Sequence, residues 1–261
     1  MAISLDLTGR LSLVTGATGD LGREISLALA EAGSDLVLNY HRDSSGAAEM
    51  AARIEAMGRK CLAIQADITD EGSVQAMRDR VFEAMGVPDI LVANAVVQYP
   101  WKPILAQPAT DFESQFRSCV LQSVFLSQAF LPGLIAKIES GERKDGRFIA
   151  INTECAMQCF PGQGAYVSGK RGLDGLMRVL AREAGPQGIT VNQVAPGWMI
   201  SRRDRDKGSE SQPGYEAGVP LRRRGTDRDI ARTVVFLASE LGDFISGAYV
   251  PVCGGNVMPA I

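Results

Sequence analysis

What most constrains this chain is an alternation of short, apolar, β-rich runs with longer stretches of helical spacing. Leu11–Thr15, Leu36–Tyr40, Cys61–Ala66, Ile90–Ala93, Arg147–Asn152, Thr190–Val194 and Tyr249–Val252 read as strands. Several are apolar throughout, as expected of a parallel sheet buried on both faces. Between them, Leu21–Ala32, Ala47–Met57, Ser73–Met85, Thr110–Ile138, Ala165–Gly185 and Asp227–Leu237 carry apolar residues at three- and four-residue intervals and read as helices. Gly33, Gly58 and Gly86 stop the first three, and Asp70, Thr110 and Thr226 are candidate N-caps. The expectation is an α/β fold: a doubly wound, seven-stranded parallel sheet with helices on both faces and right-handed crossovers. No repeat or linker interrupts the rhythm, so residues 1–261 are expected to form one domain. Ile138–Gly146 is polar and reads as a surface loop. Ser201–Gly218 is polar and glycine-containing, and with the residues just before it (about 199–218) it is a candidate lid, a solvated loop being the other reading.

Composition narrows the function classes. With 46% hydrophobic residues, the chain of 261 can bury a substantial core. A net charge of −3 gives no electrostatic reason for a nucleic-acid partner. No apolar run approaches the roughly 20 residues of a membrane helix, and Met1–Asp6 lacks the basic-then-apolar start of a signal peptide. The five cysteines form no CxxC pair and the sole histidine is His41, which excludes ordinary zinc spacings and argues against a disulfide framework. A cytoplasmic protein without a metal is expected.

In a doubly wound sheet, ligands lie beyond the carboxyl ends of the strands, so the segments that follow strands should hold the chemistry. After the first strand comes Thr15-Gly16-Ala17-Thr18-Gly19-Asp20-Leu21-Gly22, opening a helix. Glycines there permit a tight turn and close approach of a pyrophosphate, and the helix start offers free N–H groups. The second strand ends Leu38-Asn39-Tyr40-His41-Arg42, with no acid before Asp43. An acid there would take the 2′-hydroxyl of NAD. Neutral Asn39 followed by Arg42 instead suits the 2′-phosphate of NADP(H), so NADP(H) is favoured and NAD(H) possible.

In Tyr166-Val167-Ser168-Gly169-Lys170 the four-residue spacing puts a phenol and an ammonium on one helical face. An adjacent cation favours phenolate and is expected to lower the tyrosine pKa. Such a tyrosine can give a proton to a carbonyl oxygen or take one from an alcohol.

With these residues in place, the chain resembles the short-chain dehydrogenase/reductase family, in its single-domain, 3-oxoacyl-carrier-protein-reductase-like branch, along essentially its whole length. Similar stretches include Asp67-Ile68, Asn94-Ala95, Pro161-Gly162-Gln163, Val191–Gly197, Asp229–Ser239 and Ile245-Ser246-Gly247. The resemblance implies a Rossmann fold and hydride transfer between nicotinamide and a carbonyl or secondary alcohol carbon. It implies that Asp67 and Ile68 lie at adenine and Asn94 and Ala95 at the adenosine ribose. Pro196, Gly197 and Met199 would lie at the nicotinamide, and Lys170 on its ribose hydroxyls. Four positions depart from the family pattern. Asp20 replaces a glycine, so that Gly16, Gly19 and Gly22 follow TGxxGxxG. Thr153, thirteen residues before Tyr166, replaces a serine but keeps its hydroxyl. Cys119 stands at the position of an asparagine that supports a water-linked proton path, and Val96 replaces a glycine.

Gln98, Tyr99, Trp101, Cys155 and Trp198 are expected to line the substrate side. Aromatic residues there would pack an apolar or ring-bearing substrate, or simply fill core. Members of this branch pair their long helices into four-helix interfaces, and Leu121, Phe125, Leu173 and Leu176 are compatible with a homotetramer or dimer, as they are with ordinary core. Two functions remain in view: an active NADP(H)-dependent oxidoreductase, and a catalytically weakened nucleotide sensor or scaffold, motivated by Asp20, Val96 and Cys119.

Overall fold

The computed structural model describes residues 5–258; Met1–Ser4 of the N-terminal stretch discussed above lie outside them. In chain order the elements are β1 (Leu11–Val14), α1 (Asp20–Glu31), β2 (Asp35–Tyr40), α2 (Ser44–Ala56), β3 (Cys61–Gln65), α3 (Glu71–Met85) and β4 (Ile90–Ala93). There follow α4 (Ala109–Phe116), α5 (Gln122–Glu139), β5 (Gly146–Ile151), α6 (Cys155–Gln158) and α7 (Gly164–Ala184). The chain continues with β6 (Ile189–Pro196), α8 (Arg202–Asp206), α9 (Pro213–Glu216), α10 (Asp227–Ala238) and β7 (Tyr249–Val252). The strands form one parallel sheet in the order β3-β2-β1-β4-β5-β6-β7. Strand order reverses beside β1 and β4, which opens a crevice at their carboxyl ends.

Successive side chains on a strand face opposite ways, and here both ways are apolar. Leu13, Val37, Leu91, Phe148 and Val191 enter a core beneath α3, α5 and α7. Their neighbours Val14, Leu36, Leu38, Ile90, Val92 and Ile149 enter a second core beneath α1, α2 and α10. Gly33, Gly58 and Gly86 adopt φ of 104°, 77° and 84°, the left-handed region a side chain resists, and so end the first three helices. Asp70 and Thr226 cap α3 and α10, accepting from Ser73 and Asp229 N–H groups.

Four expectations need correction. Thr110 is not a cap: α4 begins at Ala109 after Pro108, with no side-chain cap. The long helix read at Thr110–Ile138 is broken by a π turn over Arg117–Leu121. Apolar spacing carries across one widened turn, so periodicity does not register it. Ser201–Gly218 is not uniform loop, because α8 and α9 lie within it; α8 opens with a capping box between Ser201 and Asp204. Finally, Ala109–Glu139 has a window of mean hydropathy 1.6, long and apolar enough to span a membrane by composition, and half of that window is buried inside the protein. Phe125, Leu126, Phe130 and Leu134 pack in the core, as does Leu173 on α7, so Phe125 and Leu173 are not available to a partner subunit.

Candidate active site

A cleft of about 1000 Å³ opens where strand order reverses. The glycine turn, the end of β2, the residues after β3 and β4, the end of β5, the first turns of α7 and the end of β6 all contribute to it. Every residue named from the sequence as catalytic or cofactor-binding lines it except Tyr40 and Cys119.

Backbone crowding explains the glycine turn. Gly16 has φ 61°, and a Cβ there would stand 3.0 Å from Ala95. A Cβ on Gly22 would stand 2.2 Å from the Gly16 carbonyl oxygen and 2.9 Å from Asn94 Nδ2, closer than real atoms approach. Asn94 braces this contact by donating Nδ2 to the Thr15 oxygen at 2.9 Å, while the Thr15 hydroxyl accepts the Asn94 and Ala95 N–H groups at 3.0 and 3.1 Å. Gly19 caps α1 without a side-chain hydrogen bond, so the helix start keeps its donors facing the cleft. This cradle, which a Cβ would fill, fits a pyrophosphate. Asp20 is the first residue of α1, where its charge meets the positive end of the helix dipole.

At the other end, Asn39 is buried and spent on structure: Oδ1 accepts from Gly16 N at 3.3 Å and Nδ2 donates to the Ala66 oxygen at 3.1 Å. Asp43 lines the cleft too but is engaged as the cap of α2, accepting the Gly46 N–H at 2.9 Å, which leaves His41 and Arg42 to meet a ribose substituent. His41 Nε2 lies 3.9 Å from Asp67. Although burial acts the other way, hydrogen bonds from Thr69, with the charges of His41 and Arg42, hold the Asp67 carboxyl below the usual carboxylate range.

The chain leaving β5 is tied to α7 at Lys170, whose carbonyl oxygen accepts from Asn152 Nδ2 at 3.1 Å, and this brings Thr153 to the side of the cleft that Tyr166 lines. Thr153 and Tyr166 both line the cleft, and the Thr153 hydroxyl accepts the Cys155 N–H at 3.2 Å. Lys170 Nζ lies 5.8 Å from the Tyr166 ring centroid and donates to the Ile151 oxygen at 2.7 Å. The expected depression of the tyrosine does not occur. Burial outweighs everything else and pushes the phenol above the ordinary tyrosine range, with Cys155 and Cys119 adding to it and Thr153 opposing. Burial likewise pushes the Lys170 ammonium down. The phenol is therefore held protonated, the form that donates to a carbonyl oxygen. Cys119 belongs to the π turn, fully buried, and its sulfur would lie 3.3 Å from a Cβ on Gly169, between Tyr166 and Lys170 in sequence. The thiol lies behind Tyr166 and Lys170 rather than in the cleft.

On the substrate side, Gln98 lines the cleft. The Tyr99 hydroxyl accepts the Tyr166 N–H at 2.7 Å, occupying a free donor of the α7 first turn, and Trp101 stacks on the Tyr166 ring at 6.5 Å. Cys155 packs beside Thr153 and Gln163, and burial pushes its thiol up. Tyr99, Trp101, Cys155 and Trp198 do not line the cleft itself, and Trp198 packs on Tyr215 and Arg224. Sequence reasoning missed Asp43, Thr69, Val97 and Asn152 in the cleft wall, and Glu154 and Tyr215 behind it. An acid directly following Thr153 was the one available signal.

A family model described as enoyl-(acyl carrier protein) reductase matches residues 16–256. The 3-oxoacyl-[acyl-carrier-protein] reductase FabG of Staphylococcus aureus is 33% identical over 257 residues, covering 95% of this chain and 98% of that protein. L-rhamnose 1-dehydrogenase (NAD(P)(+)) of a Sphingomonas species is 30% identical, with 95% and 96% covered. Among solved structures, the RhlG/NADP active-site complex of Pseudomonas aeruginosa superposes with a TM-score of 0.87 at 30% identity, covering 98% of this chain and 99% of that one. A glycine cradle at the switch point, a Thr-Tyr-Lys group at its mouth and relatives of this kind along the whole described chain have one common source: the protein is an NAD(P)-dependent oxidoreductase belonging to the short-chain dehydrogenase/reductase family.

Proposed function

We propose that the protein is an NADP(H)-dependent carbonyl reductase or secondary-alcohol dehydrogenase in which Thr153, Tyr166 and Lys170 are the catalytic group. The observation that carries this reading is the convergence of Thr153, Tyr166 and Lys170 on the cleft that the glycine turn also lines. When bound, the nicotinamide cofactor supplies or accepts the hydride. Thr153 holds the substrate oxygen, and Tyr166, kept protonated by burial, gives it a proton during reduction. Lys170, fixed on the Ile151 oxygen, presents positive charge beneath the phenol and lines the cleft where ribose hydroxyls would lie. Asp67, Ile68, Asn94 and Ala95 bound the adenosine end, and Pro196, Gly197 and Met199 the nicotinamide end.

Arg42 and His41, with no acid at the end of β2, favour the 2′-phosphate of NADP(H). RhlG, a similar structure, is a complex with NADP. NAD(H) remains usable, as the name of the similar rhamnose dehydrogenase allows for that protein. Residues 1–261 form one dinucleotide-binding domain in this reading, cytoplasmic and homo-oligomeric, with a lid at about 199–218 holding a small carbonyl or alcohol substrate.

The test is NADPH oxidation against a panel of ketones that includes acetoacetyl-coenzyme A, an oxo-sugar and an aromatic ketone. Turnover of at least one is expected, with Tyr166→Phe abolishing it and leaving NADPH binding intact. Full turnover by Tyr166→Phe refutes the mechanism, and tight NADPH binding without turnover of any ketone favours a nucleotide sensor.

A further inference from the structure

Glu154 follows Thr153 directly and is 2% exposed. A carboxylate so placed is costly unless hydrogen-bonded, and both its oxygens are engaged. Tyr215 donates its hydroxyl to Oε1 at 2.8 Å, and Asn256 donates its amide to Oε2 at 3.0 Å. Neither donor is near Glu154 in sequence. Tyr215 sits in α9, inside the polar segment after β6, and Asn256 lies in the chain that follows β7. Nothing in the proposed reaction uses this carboxylate.

The Tyr215 hydroxyl has a second engagement: it accepts the Trp198 N–H at 2.9 Å. It lies 2.7 Å from where a Cβ on Gly197 would stand, so Gly197 must be glycine for the phenol to reach. The Trp198 ring packs edge-on against Tyr215 at 5.4 Å and over the Arg224 guanidinium at 4.9 Å. Arg224 is itself buried. It donates to the Trp198, Met199 and Glu210 carbonyl oxygens at 3.3, 2.6 and 3.0 Å and pairs with Asp204 at 2.7 Å. The segment Gly197–Met199, whose ends line the cleft, is thus gripped by Tyr215 on one side and by Arg224 on the other. Glu154 anchors the Tyr215 grip to the end of β5.

We infer that Glu154 is a positioning residue for the nicotinamide end of the cleft and the substrate beside it. Through Tyr215 and Asn256 it ties the lid and the chain after β7 to the segment after β5 that carries Thr153, holding the wall Gly197–Met199 at a set distance from Thr153 and Tyr166. This deepens the proposed reductase reading and rests on it. Breaking the tie loosens the wall at the nicotinamide end without moving the phosphate cradle, so the nicotinamide and the substrate beside it are seated less firmly while the adenosine end is held as before.

The experiment compares Glu154→Ala, Glu154→Gln and Tyr215→Phe with the unsubstituted protein. Tyr215→Phe removes one hydroxyl from a peripheral segment, so the inference stays testable if Glu154→Ala does not fold. Steady-state kinetics use the ketone of the above panel that is turned over best. Acrylamide quenching is read in a Trp101→Phe background, where Trp198 is the remaining tryptophan. Tyr215→Phe is expected to raise KM about tenfold, the loss of one hydrogen bond to a charged group, and Glu154→Ala, which loses the Asn256 bond as well, at least as much. NADPH affinity falls, affinity for 2′,5′-ADP, which reaches only the adenosine end, stays constant, and Trp198 becomes more quenchable. Glu154→Gln, which keeps an acceptor for Tyr215, restores most of both. Unchanged KM and quenching in Tyr215→Phe overturn the inference, as does a fall in kcat alone. If the protein binds NADPH and reduces no ketone, the reductase reading fails, and the quenching measurement still decides whether Glu154 positions the wall.

Discussion

Replacing Gly22 by alanine tests whether the turn before α1 is a phosphate cradle or only a tight corner. The added Cβ would meet the Gly16 carbonyl oxygen at 2.2 Å, the Ala17 Cα at 2.9 Å and Asn94 Nδ2 at 2.9 Å. Two of these neighbours are backbone, and Asn94 is tied to the Thr15 oxygen, so none yields freely. Reaching ordinary contact at 3.4 Å requires the start of α1 to move by about 1.2 Å from the Gly16 carbonyl, an overpacking that costs roughly 1–3 kcal/mol of stability. The same shift carries the helix-start N–H groups out of hydrogen-bond range of a pyrophosphate. Losing one charge-assisted hydrogen bond at about 1.5–3 kcal/mol weakens NADPH binding by roughly ten- to a hundredfold. The assay pairs urea unfolding of the free protein with NADPH fluorescence titration. Gly175→Ala is the control: it lies in α7, where a Cβ meets nothing within 4 Å, and should leave NADPH binding unchanged. If Gly22→Ala binds NADPH as tightly as the native chain, the cradle assignment is wrong.

Arg42→Ala should weaken NADPH roughly tenfold and leave NADH unaffected, since a guanidinium–phosphate contact exists for only one of them; equal losses in parallel titrations would remove Arg42 from the 2′-phosphate site. Asp89 is fully buried, accepts the Leu11 N–H at 2.9 Å and takes Lys137 and Arg143 at 3.0 Å each. Asp89→Ala strands cations that keep some water, so the loss should fall near the low end of the roughly 3–5 kcal/mol typical of broken buried pairs, measured by urea unfolding. Asp204 is held at about 2, below its ordinary 3.8, by the Ser201 backbone N–H and by Arg224. A depressed carboxylate gives stability that is complete above its ordinary value and lost as pH falls through its folded one. The Asp204–Arg224 tie should therefore hold to about pH 4 and fail between about pH 4 and 2, read as a change in Trp198 emission absent in Asp204→Asn.

The alternation of apolar runs and helical spacing was enough to place the seven strands and the dinucleotide turn, because period and glycine position are local properties of the chain. Tyr166 and Lys170 were legible for the same reason: four residues on a helix share a face whatever surrounds it. The π turn at Arg117–Leu121 was not legible, since one widened turn leaves the apolar spacing intact, and Thr110 resembled a cap only because α4 starts one residue earlier. The protonation of Tyr166 was read in the wrong direction. Sequence showed an ammonium one turn away, whereas the folded protein sends Lys170 to the Ile151 oxygen and leaves the phenol to burial. Desolvation depends on everything packed around a group, and no spacing rule contains it. Glu154 and Tyr215 mark the same boundary, being 61 residues apart and joined only when β5 and α9 come together. Chain-local geometry made Tyr166, Lys170 and the glycine turn legible, and tertiary packing decided how they are buried and how the cleft wall is held.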